Sequence, residues 1–171
     1  MEETIVIRQG TIDDVELAVK FRWLTFGDSG KEEAIEHIRK EVTRRYTEEY
    51  RNDRIVHFFA YNQKGEAVAC VGAILKDDFP YYLFKPGYYG WIIDVYTDPE
   101  YRGQKIATKL LEKTHEWILS KGAFESKLIA IGSEARELYG KIGYRPTWEM
   151  SLNLKPEVFK TYNEMIDKKI I

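Results

Sequence analysis

Apolar residues recur along this chain with two different periods, and the shorter period marks the strands. The β-branched segment from Thr4 to Arg8 predicts a first strand. Two apolar runs, Ile55 to Tyr61 and Ala67 to Leu75, are separated by five polar or small residues, which predicts an antiparallel hairpin. Trp91 to Thr97 is largely apolar but contains the carboxylate of Asp94, and we predict a strand that is buried on both faces.

The longer period marks helices between these strands. Thr11 is followed three residues later by Asp14, which has the pattern of a capping box, and Ser29 with Glu32 repeats it. The second of these predicted helices carries one apolar stripe, formed by Ala34, Ile35, Ile38, Val42 and Tyr46. A third helix is predicted over Arg102 to Lys121, because apolar residues recur at helical spacing along it.

The remaining segments continue the alternation of strands and helices along the chain. Two prolines and two glycines exclude a helix from the aromatic connector, Asp77 to Gly90. We predict a short strand over Leu128 to Ile131, a short helix that begins at Ser133, a late strand over Tyr144 to Leu154 and a terminal helix over Pro156 to Lys168. This order predicts an α+β fold, in which a mixed sheet carries helices on its faces.

Composition narrows the class of protein. A chain of 171 residues with 44% hydrophobic residues suits one domain, so we predict a single domain over residues 1–171. The net charge of −2 provides no positive field for nucleic acid or an anionic membrane, and we expect neither as a partner. Cys70 is the only cysteine, which excludes an intrachain disulfide and a cysteine-based zinc cluster, and we expect no metal. The N-terminus lacks the pattern of a signal peptide and no apolar run would span a bilayer, so we predict a cytoplasmic protein.

Candidate chemistry lies where the predicted buried strand meets the start of the third helix. The first N–H groups of a helix have no acceptor within it, and together with the helix dipole they form a seat for phosphate. Gly103 allows close approach of the backbone, and Arg102, Lys105 and Lys109 add positive charge. Basic residues at a helix start oppose the dipole, so an anionic ligand explains them better than an ordinary helix start does.

Two segments resemble the GNAT superfamily of N-acetyltransferases. Arg102 to Ala107 is similar to the pyrophosphate loop of that family, [Gln/Arg]-x-x-Gly-x-[Gly/Ala], with Lys105 in place of its central glycine. Ala135 to Tyr144 resembles the late helix and turn, Ala-x-x-Leu-Tyr-x-x-x-Gly-Phe, with tyrosine in place of phenylalanine, and Gly132 stands where many members carry asparagine. The resemblance implies a central, mostly antiparallel sheet with a splayed parallel strand pair and helices on both faces.

The resemblance also implies a cosubstrate and the residues that hold it. The cosubstrate would be acetyl-coenzyme A, whose pantetheine pairs with the backbone of a bulged strand while its phosphates occupy the loop. The matching positions are Val95, Tyr96 and Thr97 on the strand, and Arg102, Gly103, Gln104, Lys105, Ile106, Ala107 and Thr108 on the loop. A backbone N–H of the strand would also stabilise the oxyanion that forms as the amine attacks.

Proton transfer has one candidate acid and several candidate bases. Tyr139 matches the usual general acid of the family, although such a ring also suits a helix core. Asp94 is the first candidate base, with Glu149 and His57 behind it, and relay through water is an alternative. A buried, hydrogen-bonded carboxylate that holds the strand bulge is the other interpretation of Asp94.

The acceptor is predicted to be an amine of a small molecule, peptide or protein. Aromatic residues of the connector, together with Trp91 just after it, would form a pocket wall, a packing layer or a homodimer contact; they are Tyr81, Tyr82, Phe84, Tyr88, Tyr89 and Trp91. Two rival functions stay open. One is a non-catalytic coenzyme A-binding regulatory or sensor module, and the other, weaker because nucleotide-loop motifs are absent, is a general nucleotide-phosphate site.

Overall fold

The computed structural model describes residues 4–26, 32–80 and 87–147, together with Glu149 and Leu152. Its strands are β1 Val6–Gln9, β2 Ile55–Tyr61, β3 Ala67–Asp77, β4 Tyr88–Thr97 and β5 Ser126–Lys127. Its helices are α1 Val15–Phe26, α2 Glu32–Arg51, α3 Ile106–Ser120 and α4 Ser133–Ile142, with short 3₁₀ turns at Ile12–Asp14 and Pro99–Tyr101.

The five strands form one sheet in the order β1-β2-β3-β4-β5. The first four strands are antiparallel to their neighbours, and β4 pairs with β5 in parallel. That parallel ladder is short, because it joins only Gly90 to Ser126 and Trp91 to Lys127. Among the described residues, none pairs with β4 on this side after Trp91. The predicted mostly antiparallel sheet with one parallel strand pair is therefore confirmed.

Helices cover both faces of the sheet. On one face, Val19 and Phe21 of α1 and Tyr46 of α2 join a buried cluster with Phe59 of β2. On the other face, α3 packs on β2, β3 and β4. The contact with β4 is close, because a Cβ atom built on Gly90 would lie 2.3 Å from Cδ1 of Ile118. Burial of each large apolar side chain contributes about 1.5–3 kcal/mol, so both faces stabilise the sheet.

The predicted capping box at Thr11 is confirmed. The Thr11 hydroxyl accepts the N–H of Asp13 at 3.3 Å, and the Asp14 carboxylate accepts the N–H of Thr11 at 2.8 Å. The guanidinium of Arg8 donates to both oxygens of Asp14, which holds the pKa of that carboxyl below its usual range. The box opens the 3₁₀ turn that leads into α1. Ser29 of the second predicted box lies outside the described residues.

Three predicted elements differ from the structure. The third helix begins at Ile106 and not at Arg102, because Gly103 and Lys105 have φ angles of 78° and 60°, which a right-handed helix excludes. The predicted strand over Leu128 to Ile131 is wrong, since β5 lies two residues earlier, where the N–H of Gly90 donates to the carbonyl of Glu125 at 2.9 Å. β4 alternates between buried and half-buried residues and is not buried on both faces throughout.

The chain divides into two compact units, residues 1–128 and 129–171, and α4 belongs to the second. The single domain predicted for residues 1–171 stays a prediction. Tyr144 to Thr147 form no strand, and most of the predicted late strand and all of the terminal helix lie outside the described residues. None of the helices in the described ranges has both the length and the apolar character needed to span a bilayer.

Candidate active site

A bulge interrupts β4 on the side that pairs with β3. The register runs from Gly72 opposite Ile93 to Cys70 opposite Tyr96, so two residues of β4, Asp94 and Val95, stand against one residue of β3. Asp94 has a φ angle of 54°, in the left-handed region. A side chain in this region costs about 1–2 kcal/mol, although aspartate adopts it more readily than most residues. The bulge re-aims the last residues of β4.

The Asp94 side chain is fully buried and accepts hydrogen bonds from three elements. Its Oδ1 accepts from Nη1 of Arg22 on α1 at 3.0 Å. Its Oδ2 accepts from Nε2 of His57 on β2 at 3.0 Å and from the hydroxyl of Tyr46 on α2. Arg22 also donates to the Tyr46 hydroxyl at 3.3 Å. We call these four residues the Asp94 cluster.

The hydrogen bonds assign the protons of the cluster. A carboxylate only accepts, so Nε2 of His57 carries the hydrogen that lies between the ring and Asp94. The other ring nitrogen, Nδ1, is 2.9 Å from the Tyr50 hydroxyl. Burial and the neighbouring Asp94 charge raise the pKa of Tyr46, and burial raises the pKa of Tyr50. Both phenols therefore keep their protons, and Arg22 pairs with Asp94.

Two of the three predicted bases thus lie in contact. The side chains of Asp94 and His57 are both fully enclosed, so neither presents a side-chain atom at the protein surface. Glu149 belongs to the second unit and is exposed. The role of each as a base stays a prediction.

The loop between β4 and α3 is tied to the end of the strand. The N–H of Asp98 donates to the carbonyl of Val68 at 2.9 Å, and Nε of Arg102 donates to the carbonyl of Thr97 at 3.1 Å. After Arg102 the backbone turns twice through the left-handed region, at Gly103 and Lys105. The first bond of α3 then runs from the N–H of Lys109 to the carbonyl of Lys105 at 3.1 Å.

This geometry leaves a run of backbone donors without acceptors. In the part of the chain that the structure describes, no acceptor bonds the N–H groups from Gly103 to Thr108. A Cβ atom built on Gly103 would meet nothing within 4 Å, so the backbone there is open to a ligand. The side chains of Arg102, Lys105 and Lys109 are exposed around it. Consecutive N–H groups, a helix start and three cations suit a phosphate group.

The edge of β4 leads into this loop. Val95, Tyr96 and Thr97 are half-buried. On the edge of β4 that faces away from β3, the described residues provide no ladder partner for their backbone. The Tyr96 ring packs 5.9 Å from the Phe21 ring, centroid to centroid. Partial burial and the Asp98 carboxylate raise the pKa of its phenol. An extended ligand chain would find unpaired backbone groups here.

Tyr139 lies on α4 in the second unit and is buried. Its carbonyl accepts the N–H groups of Gly143 at 3.1 Å and Tyr144 at 3.0 Å, and Gly143 has a φ angle of 109°, so the helix ends in a left-handed cap. The Tyr144 ring stands edge-on to the Tyr139 ring, with 5.7 Å between centroids. Burial raises the pKa of Tyr139 to about 12, which keeps its phenol protonated at neutral pH.

Comparison with known proteins identifies the family of this chain. Residues 21–144 match the model of the acetyltransferase (GNAT) family. The chain belongs to the GNAT family. The matched range includes the β4 bulge, the loop from Arg102 to Lys105 and the whole of α4.

Solved GNAT structures share the fold. A predicted acetyltransferase with acetyl-CoA from Clostridium acetobutylicum is 26% identical, with a TM-score of 0.79 over 88% of this chain and 97% of that one. A GCN5-related N-acetyltransferase from Ralstonia eutropha JMP134 is 21% identical, with a TM-score of 0.76 over 88% of this chain and 99% of that one, and this shows the fold alone.

A curated relative matches over a shorter range. Thialysine N-epsilon-acetyltransferase of Sus scrofa is 36% identical over 61 residues, which are 34% of this chain and 36% of the relative. The match therefore spans about a third of the relative's length.

The aromatic residues predicted as an acceptor wall divide between the faces of this GNAT sheet. Tyr88 donates to the carbonyl of Lys121 just after α3 at 2.8 Å, and so lies on the α3 face with Gly90. Tyr89 and Trp91 point to the opposite face because side chains alternate along a strand. There, Nζ of Lys76 lies 3.9 Å from the Trp91 ring centroid and Nζ of Lys127 lies 4.5 Å from that of Tyr89. Tyr81, Tyr82 and Phe84 lie outside the described residues.

Sequence reasoning missed two members of the Asp94 cluster. Arg22 and Tyr46 are 72 and 48 positions from Asp94 along the chain, so no local pattern joins them. One signal in the sequence pointed to such partners. A carboxylate in a buried strand requires donors, and polar groups on the apolar faces of the predicted helices were the candidates to supply them.

The left-handed Lys105 leads to a stability prediction. Lys105→Gly removes the steric cost of a side chain at a φ angle of 60°, which exceeds the entropy that glycine gains in the unfolded chain. We expect the free energy of unfolding to rise by about 0.5–1 kcal/mol, measured by urea denaturation. As the matched control, Lys109→Gly inside α3 should lower it by about 1 kcal/mol. Equal losses in the two variants would contradict the left-handed assignment.

Proposed function

We propose that this chain is an N-acetyltransferase that transfers the acetyl group of acetyl-coenzyme A to a primary amine of a small molecule, peptide or protein, by direct attack in a ternary complex. The observation that carries the proposal is the run of N–H groups without acceptors from Gly103 to Thr108, next to the unpaired edge of β4. Membership of the GNAT family supports the same chemistry.

The cosubstrate would occupy the loop and the edge together. The N–H groups from Gly103 to Thr108, with Arg102, Lys105 and Lys109, would hold its phosphates. The backbone of Val95 to Thr97 would pair with its pantetheine. When bound, acetyl-coenzyme A supplies the activated thioester. The described residues supply binding, orientation and proton transfer.

Tyr139 would donate the proton that the leaving group needs. As the amine nitrogen attacks the thioester carbon, a C–N bond forms and the C–S bond breaks. The sulfur leaves with the electron pair and takes the Tyr139 proton, which a phenol with a pKa of about 12 retains until that moment. The amine loses one proton in the same reaction. Because Asp94 and His57 are enclosed, we propose that water carries this proton away and that the Tyr139 phenolate then regains a proton from water.

Several similar proteins suggest small amines as acceptors. The curated relative is named for thialysine, and solved structures of the same fold include glucosamine-6-phosphate N-acetyltransferase from Arabidopsis thaliana and the aminoglycoside N-acetyltransferase AAC(6')-Iy. We therefore place small-molecule amines ahead of peptide amines. A homodimer and a cytoplasmic location stay predictions.

A non-catalytic coenzyme A-binding module is the alternative. It is favoured by Lys105, which places a strained side chain at the centre of the phosphate loop. The two functions differ in turnover, because a binding module would release no thiol from acetyl-coenzyme A with any amine.

Thermal unfolding with acetyl-coenzyme A tests the proposal. A ligand that binds only the folded state stabilises it by about 2.7 kcal/mol at a hundred times its dissociation constant, so the midpoint should rise. ATP and NAD serve as controls and should produce smaller shifts. A shift specific to acetyl-coenzyme A, followed by amine-dependent thiol release, would support the enzyme. A shift without thiol release across an amine panel would favour the binding module, and no shift at saturation would overturn both.

A further inference from the structure

Two unusual features meet in Asp94. Its backbone stands in the left-handed region at the β4 bulge, and its side chain is the acceptor of a fully enclosed hydrogen-bond cluster. The proposed reaction uses neither feature. A strained backbone at a functional site persists only when the surrounding structure determines it, so the cluster needs a physical account.

The Asp94 cluster supplies the hydrogen bonds that hold Asp94 in its left-handed conformation at the bulge. Arg22, Tyr46 and His57 bring donors from α1, α2 and β2, and each of these elements also packs against the sheet or lies within it. Three donors from different directions leave the carboxylate one position. Because the side chain is held in place, the Asp94 backbone cannot relax to ordinary extended geometry without breaking buried bonds.

The bulge in turn sets the direction of the strand beyond it. Val95, Tyr96 and Thr97 follow Asp94 directly, and Arg102 of the phosphate loop bonds the carbonyl of Thr97. A change in the conformation of Asp94 would therefore displace the edge of β4 first and the loop only through that edge.

We propose that Asp94 is a positioning residue whose buried carboxylate, held by Arg22, Tyr46 and His57, locks the β4 bulge and so presents the backbone of Val95 to Thr97 to the pantetheine arm of the acyl donor. This inference rests on the proposed function. It assigns Asp94 to orientation of the edge and not to removal of the amine proton. The enclosed carboxylate, with both oxygens occupied, fits that assignment.

The test compares two probes on the same variants. Acetyl-coenzyme A contains the pantetheine arm, whereas 3′-phospho-ADP contains the phosphates without it. Asp94→Gly permits the left-handed backbone but removes the carboxylate, and we expect the acetyl-coenzyme A dissociation constant to rise about tenfold by calorimetry. The constant for 3′-phospho-ADP should change less than about twofold, because the loop stays intact. Asp94→Asn, which keeps an acceptor oxygen, should restore part of the affinity.

Tyr46→Phe keeps the test valid if Asp94→Gly fails to fold. It removes one donor and leaves the ring in the core, and we expect the acetyl-coenzyme A dissociation constant to rise about threefold or more. Tyr61→Phe is the matched control, because its hydroxyl accepts from Arg8 at 2.6 Å at the far edge of the sheet, and it should leave both constants unchanged.

The outcomes separate the competing roles. Unchanged acetyl-coenzyme A affinity in Asp94→Gly and Tyr46→Phe would overturn the inference, and so would an equal loss for both probes, which indicates general loosening. If wild-type protein binds neither probe, the proposed function fails. The backbone amide shifts of Val95 to Thr97 in ligand-free protein then still decide the positioning role, because only that role predicts that Tyr46→Phe moves them and Tyr61→Phe does not.

Discussion

Tyr139→Phe is expected to lower turnover about a hundredfold or more while the acetyl-coenzyme A dissociation constant changes less than about twofold. The phenol is buried and its pKa is about 12, so it holds a proton at neutral pH and can give it to the departing sulfur. Phenylalanine keeps the ring that packs against Tyr144 but has no proton to give. Turnover is measured as thiol release with an amine that the panel identifies as an acceptor, and affinity is measured by calorimetry.

Tyr144→Phe is the matched control. It removes a hydroxyl from the neighbouring ring and restores the residue of the family pattern, so turnover should change less than about threefold. Equal losses in Tyr139→Phe and Tyr144→Phe would contradict the acid role.

The raised pKa of Tyr139 adds a test of stability against pH. The protonated phenol is favoured in the folded state, so its contribution to stability is present below about pH 10 and declines as pH rises toward 12. Tyr139→Phe should remove that decline.

Gly72→Ala is expected to lower the free energy of unfolding by about 2–4 kcal/mol. Gly72 is buried on β3, and an added Cβ atom would lie 2.6 Å from Cδ2 and 2.7 Å from Nε2 of His57. The ring is packed and bonded on both nitrogens, so it can yield only by breaking its bond to Asp94. Overpacking and the loss of a buried partner therefore act together. Urea denaturation at neutral pH measures the change.

Two further variants isolate the cause of that loss. Gly140→Ala makes the same change inside α4, where no atom outside the adjacent helix backbone lies within 4 Å of the new Cβ, and should be neutral or stabilise by about 1 kcal/mol. In a His57→Asn background, Gly72→Ala should cost at least about 1 kcal/mol less than in the wild type, because the smaller side chain makes room. An undiminished cost in that background would show that the methyl group does not act through His57.

Local chemistry explains the predictions that the structure confirms. The box of Thr11 and Asp14 involves residues three positions apart, and the hairpin of β2 and β3 needs only two apolar runs and a short polar link. The proposed phosphate loop stays a prediction, but it is likewise a continuous segment, so Arg102 to Ala107 could be recognised without knowledge of its surroundings. Such features depend on neighbours along the chain, which the sequence displays directly.

Conformations set by distant contacts could not be predicted in this way. Lysine is a good helix former, so Lys105 suggested a helix that begins earlier than it does, and only the structure shows its left-handed backbone. The position of β5 depends on the ladder that β4 offers, and the apolar run from Leu128 to Ile131 carries no information about that ladder.

The sequence by itself indicated the family and most of the helices and strands of the described ranges, and it predicts the segment that would hold phosphate, because each rests on short-range pattern. Only the tertiary structure decided the surroundings of Asp94. Its partners, Arg22, Tyr46 and His57, come from three separate elements between 37 and 72 positions away. Sheet register and helix packing bring them together, and a buried carboxylate takes its role from the donors that enclose it.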